Sequence, residues 1–138
     1  MYPEYFIAPM REELTTHGIE EARTPEDIDQ MLSSEEGSVM FVINSVCGCA
    51  AGKARPGVVQ SLQGAVKPDK VATVFAGGDV EATAHLREIL SDYPPSSPSV
   101  ALFKGGKPVY FMPRISIEGS DALTISENLK KAYAEHCA

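Results

Sequence analysis

Apolar and polar positions alternate along this chain in blocks whose periods change from strand-like to helix-like and back. Ser38–Asn44 is almost continuously apolar and rich in β-branched and aromatic side chains, the pattern of a central strand covered on both faces. Residues 71–76 repeat that signal, and the stretch 50–66 between them fits a helix. Gly77 and Gly78 break the chain, after which Asp79 is placed to cap a helix running to Leu90. Strand, helix, strand and helix in this order predict βαβ units and a parallel sheet. The pattern then changes. Residues 93–98 hold three prolines and no helix, whereas 99–104 and 108–112 read as strands joined by a tight turn at Gly105 and Gly106. A helix from about Asp121 to His136 closes the chain.

Before the first long strand the signals are shorter. Residues 11–16 suggest a short helix stopped by Gly18, and 19–23 an edge strand. Thr24, Pro25, Glu26 and Asp27 combine an N-cap, a proline suited to the first helical position and acids in the first turn. That helix is predicted to run to about Ser33 with Ile28, Met31 and Leu32 on one face. The expected architecture is α/β, a central mixed sheet of four to five strands flanked by helices. Its 138 residues fit a single domain spanning 1–138.

Composition narrows the function. The chain is 43% hydrophobic and 22% charged, as a folded domain requires, and no apolar run approaches the ~20 residues of a membrane helix. The N-terminus has neither a basic segment nor a sustained apolar one, so a cytoplasmic protein without a membrane partner is expected. A formal charge of −7 disfavours nucleic acid as a ligand. Apolar side chains on the last helix or an edge strand could serve a dimer or the core equally, which leaves the oligomeric state open.

In a reducing compartment three cysteines are catalytic, metal-binding or inert rather than a structural framework. Cys47 and Cys49 fall between a buried strand and the first turn of a helix. Free N–H groups and the positive end of the macrodipole there favour a thiolate, and the thiolate is the nucleophile. Cys47, the more N-terminal, is expected to attack and Cys49 to resolve. Gly48 would ease the small ring of a Cys47–Cys49 disulfide, and residual strain would make that bond readily reduced. The alternatives are two cysteines that merely pack, or a metal site. Structural zinc wants four ligands, and only Cys137, His17, His85 and His136 remain, without ligand spacing, so no metal is expected. Cys137 reads as an inert thiol at a fraying terminus. Pro98, opening a strand after a Pro/Ser-rich loop, is a candidate for a cis peptide bond.

Cys47-Gly48-Cys49 after an apolar strand, Ser97-Pro98-Ser99 opening another, and Phe103-Lys104-Gly105-Gly106 at a hairpin resemble the thioredoxin superfamily. The resemblance implies a thioredoxin-like fold, with Pro98 the cis-proline facing the cysteines, the Ser97 backbone pairing with substrate, and Pro56 kinking the active-site helix. Tyr2-Pro3, the stretches 44–50, 53–56 and 92–99, and Ile117-Glu118-Gly119 resemble the bacilliredoxin family over nearly the whole chain. That resemblance implies removal of bacillithiol from protein mixed disulfides. Cys47 would accept the small thiol, Cys49 would displace it, and Ser45, Ser97 and Pro98 would contact substrate. No cofactor is implied; bacillithiol or another low-molecular-weight thiol is the co-substrate, and thiolated or disulfide-bonded proteins are the partners. Two alternatives stand beside it: a general disulfide isomerase or reductase, and a Cys-x-Cys metal-binding module. Phe41 stands where thioredoxins bury an aspartate, which leaves Arg114, Glu118 and Lys53 as candidates to assist the cysteines. The family's histidines before Ile-Glu-Gly and the arginine after it are replaced here by Ile115, Ser116 and Ser120.

Overall fold

The computed structural model describes residues 1–33 and 37–138. Five strands, β1 (Glu20–Glu21), β2 (Ser38–Asn44), β3 (Lys70–Phe75), β4 (Ser99–Lys104) and β5 (Lys107–Met112), form one sheet in the order β1-β3-β2-β4-β5. β1 and β2 pair parallel to β3, while β4 runs antiparallel to both β2 and β5. The helices are α1 (Glu4–Thr15), α2 (Pro25–Met31), α3 (Arg55–Ser61), α4 (Val80–Ile89), α5 (Arg114–Glu118) and α6 (Ala122–His136). Among the described residues no helix is long and apolar enough to cross a membrane.

β2 lies at the sheet's centre and all seven of its residues are buried. Its alternating side chains feed two cores, as the pleat dictates. Met40 and Val42 join Val58, Ile125, Leu129 and Tyr133 beneath α3 and α6. Val39, Phe41 and Ile43 join Ile28, Leu86 and Phe103 beneath α2 and α4. Phe41 meets Phe103 edge-on with ring centroids 5.8 Å apart. Each such large side chain contributes about 1.5–3 kcal/mol on burial. Gly57 allows α3 to close on α6, since a Cβ there would lie 2.7 Å from Ile125 Cγ2.

Local signals place several boundaries as expected. Thr24 and Asp27 make a reciprocal capping box at α2, and the Asp121 carboxylate caps α6 by accepting from Thr124 N–H at 2.8 Å. Other boundaries differ, each for a physical reason. α1 begins at Glu4 rather than at residue 11. Its buried stripe is Ile7, Arg11 and Leu14, and an arginine in that stripe hides the apolar period, as Pro9 hides the helix. The edge strand expected over 19–23 keeps only Glu20 and Glu21 in the ladder.

The helix expected over 50–66 is instead two pieces: a π-helical turn over Ala50–Ala54, then α3, ending at Ser61. Pro56 has no N–H to offer and its ring obstructs the preceding turn, and the chain answers by widening it: Arg55 N–H reaches back five residues to Ala50 O. Asp79 does precede α4 but makes no side-chain cap; its carboxylate instead takes Phe75 N–H and the Arg11 guanidinium. α5 had no sequence signal, being five residues anchored by Ile117 alone.

Candidate active site

The segment after β2 is built from buried polar contacts. Asn44 Oδ1 accepts from Ser45 N–H and from Arg55 Nη1, both at 2.9 Å, and Arg55 Nη1 also reaches Ser45 O at 2.9 Å. Arg55 is 3% exposed, and its Nε stands 3.1 Å from Glu13 Oε1 of α1. One arginine from the following helix therefore holds the strand end from which the cysteine loop departs. Ser45 Oγ then accepts Cys47 N–H at 3.0 Å. Cys47 lies immediately before the helical residues, Gly48 is exposed, and Cys49 is half-buried in the first turn. Ala50 and Ala51 N–H both bond Cys47 O, completing that turn.

Cys49 N–H points at Cys47 Sγ, 3.3 Å away. This donor is the main influence holding the Cys47 thiol below its ordinary pKa, and the nearby positive charge of Arg114 adds to it. Cys49 is pushed the other way, first by the hydrogen bond it shares with Cys47, then by burial and by the Cys47 charge. The two thiols are thus unlike: Cys47 is shifted toward the thiolate and Cys49 away from it.

The Ser97–Pro98 peptide bond is cis, and Pro98 is buried at the start of β4. Arg114, first residue of α5, ties this loop to that helix: its N–H donates to Ser96 Oγ at 3.2 Å and its Nη1 to Ser97 O at 3.3 Å. Arg114 Nε also pairs with Glu118 one turn along. Lys53 Nζ bonds Glu118 O at 2.6 Å, pinning the end of α5 to the π-helical turn. Of the three candidate helpers, Arg114 bears on Cys47 only through its charge, Glu118 pairs with Arg114, and Lys53 braces backbone.

A cleft of about 330 Å³ opens at Cys47, lined also by Tyr2, Gly77, Arg87, Ser97 and Arg114. Ser45 and Val46 border it as well. Tyr2 N–H donates to Gly77 O at 2.8 Å, and a Cβ on Gly77, whose φ is +84°, would stand 2.6 Å from the Tyr2 ring. Of the residues expected at the site, Cys47, Ser45 and Ser97 line this cleft, whereas Gly48, Cys49 and Pro98 are not in its wall; Arg87 carries no signal in the sequence, since it resembles any charged residue on an amphipathic helix. Arg55 was equally hidden, since nothing in its neighbours shows that it is buried. Phe41 is fully buried in the core beneath α2 and α4. Cys137, expected to be exposed at a frayed end, packs against the core of Leu129 and Tyr133, and its N–H bonds Tyr133 O at 2.7 Å. Among the described residues no three His, Cys, Asp or Glu side chains gather as metal ligands do. His85 instead lies 2.7 Å from Asp29.

The profile of the Disulphide isomerase family matches residues 2–137. A bacilliredoxin of Halalkalibacterium halodurans is 52% identical over 99% of this chain and 94% of its own length. One from Shouchella clausii is 51% identical over 99% and 96%, and one from Cytophaga hutchinsonii 50% identical over 98% and 99%. In three dimensions the fold matches thioredoxins of Malassezia sympodialis (TM-score 0.60, 14% identity, 87% of this chain and 94% of that one) and of Fasciola hepatica (0.60, 17%, 86% and 99%). The architecture is therefore a thioredoxin fold.

Proposed function

Since the chain belongs to the bacilliredoxin family and is a thiol–disulfide oxidoreductase, we propose that it removes bacillithiol from mixed disulfides on cytoplasmic proteins. The observation that carries this reading is the asymmetry of the two thiols, created by the Cys49 N–H directed at Cys47 Sγ. A thiol shifted toward the thiolate beside one shifted away from it suits a two-step exchange. In the first step the Cys47 thiolate attacks the bacillithiol sulfur of the mixed disulfide. A Cys47–bacillithiol bond forms, the original S–S bond breaks, and the protein sulfur leaves as thiolate. In the second step Cys49 loses its proton to solvent and attacks Cys47 Sγ. A Cys47–Cys49 disulfide forms and bacillithiol leaves as thiolate. Two electrons from an external thiol reductant then restore the dithiol.

Ser45 and Ser97 keep their place in this reading with roles that their contacts suggest. The Ser45 hydroxyl supports the cysteine loop from its buried side. The Ser97 carbonyl, engaged by Arg114, borders the cleft that an incoming substrate would occupy. Pro98 is buried next to Ser97, and Gly48, next to Cys47, is exposed.

The test is intact mass of a Cys49→Ala variant after incubation with a bacillithiol-modified protein, beside a Cys47→Ala control. One bacillithiol is expected on the Cys49→Ala protein and none on the Cys47→Ala protein. If both stay unmodified while scrambled protein disulfides are rearranged by the wild type, the reading fails. A general disulfide isomerase, the activity in the matched family's name, then takes its place.

A further inference from the structure

The chain carries 19 acidic residues against 12 lysines and arginines, yet the cleft at Cys47 has two guanidinium groups in its wall and no carboxylate. Arg87 and Arg114 reach it from different elements, the last turn of α4 and the first residue of α5. They differ in how far their donors are used. Arg114 is bonded to Glu118 and to Ser97 O. Arg87 makes no hydrogen bond or ion pair with any described residue, and its Nε is sealed from solvent without a partner.

That Nε has no accessible surface and is out of reach of an occupant of the cleft; the two terminal nitrogens, unbonded and not sealed, are the donors left for one. The helix end is no substitute, since its field steadies the charge without satisfying the fork of N–H groups. A guanidinium fork suits a carboxylate, and a cleft of about 330 Å³ is the size of a small-molecule site rather than a protein interface.

We propose that Arg87, together with the spare donors of Arg114, forms an anion subsite that seats a carboxylate of the low-molecular-weight thiol while its sulfur bonds to Cys47. This inference rests on the reading that Cys47 accepts a small thiol, and adds that the accepted thiol is chosen for negative charge. The subsite pairs a carboxylate with a cation otherwise without one, and it holds the adduct in the cleft for the second exchange. Neutral and cationic thiols of similar size gain nothing from it.

The experiment uses the full chain with Cys49→Ala and one carrier protein loaded in turn with bacillithiol, with glutathione, with an acidic cysteine peptide, with neutral 2-mercaptoethanol and with cationic cysteamine. Intact mass gives the second-order rate of transfer to Cys47, and the readout is the ratio of the bacillithiol rate to the mercaptoethanol rate. Arg87→Gln is expected to lower that ratio about tenfold, Arg87→Lys to recover part of it, and added salt to compress the ratio in the parent protein. A ratio unchanged in Arg87→Gln overturns the proposal, as does an equal fall in both rates, which would mean that Arg87 acts on the fold or on Cys47 itself. A parent protein that refuses bacillithiol but takes glutathione with the same Arg87-dependent ratio upholds the subsite while sinking the bacillithiol reading. An Arg87 effect seen only with an acidic peptide disulfide overturns the small-thiol assignment.

Discussion

Two groups of arginines in this protein sit close to carboxylates or sulfur and do opposite work. Arg11 is 4% exposed and its donors are spoken for. Nη1 and Nη2 take the two oxygens of Asp79 at 2.8 and 2.9 Å, Nε takes Glu4 at 3.0 Å, and the guanidinium lies 5.5 Å from the Phe75 ring centre. Asp79 is equally full, accepting also from Phe75 N–H and Arg23 Nε. This buried joint ties α1 to the start of α4 and to the end of β3, and no donor is left for a ligand. Arg87 and Arg114, at the cysteine cleft, keep donors in reserve and accept exposure or an unpaired nitrogen in return. The first arginine is used up by the fold, and the other two keep donors beside the Cys47 thiol.

The sharpest way to break that contrast is at the buried joint. Asp79→Ala leaves Arg11 buried and stripped of its main partner, which is expected to cost about 3–5 kcal/mol. Guanidinium denaturation at unchanged m-value reads this, and a loss below about 1 kcal/mol would mean that the joint is not what binds α1 to α4. Asn44→Ala comes next, since it removes the acceptor shared by Ser45 N–H and Arg55. About 1–3 kcal/mol is expected from the same measurement, together with slower alkylation of Cys47 as its loop loosens. An unchanged alkylation rate would separate Arg55 from the cysteine loop.

Arg114→Gln is the mildest change and sharpens the comparison from the other side. The denaturation midpoint should hold, while Cys47 alkylation near neutral pH slows by about twofold because its pKa rises when the nearby charge is lost. In the parent protein the lowered Cys47 pKa adds stability that is complete above the ordinary thiol pKa and fades as pH falls through the folded value. Cys49, shifted upward, adds stability below the ordinary thiol pKa that fades as pH rises through its raised value. The backbone N–H that lowers the Cys47 pKa survives in Cys49→Ala, so alkylation of Cys47 in that variant should begin at lower pH than that of an ordinary thiol. Onset at or above the ordinary thiol range would contradict the role of Cys47 as nucleophile.

By itself the sequence determined what short-range patterns can carry. The unbroken apolar run of β2, the Thr24–Asp27 capping box, the glycine turn between β4 and β5 and the Cys-Gly-Cys at a strand-to-helix junction each involve neighbours within a few positions. Their geometry follows from local backbone rules, and so the fold class and the pair of thiols were legible. The tertiary structure decided the rest. Whether Arg11 lies in the core depends on Asp79, 68 residues away, and Arg55 is held by an asparagine across the loop. α1 could be read past Pro9 only once Arg11 had a buried partner. Arg87, 40 positions from Cys47 along the chain, enters the cleft only because α4 packs against the sheet beside β2. Charged side chains are assigned to solvent by any local pattern. Their burial is set by partners that the folded chain alone brings within hydrogen-bonding distance.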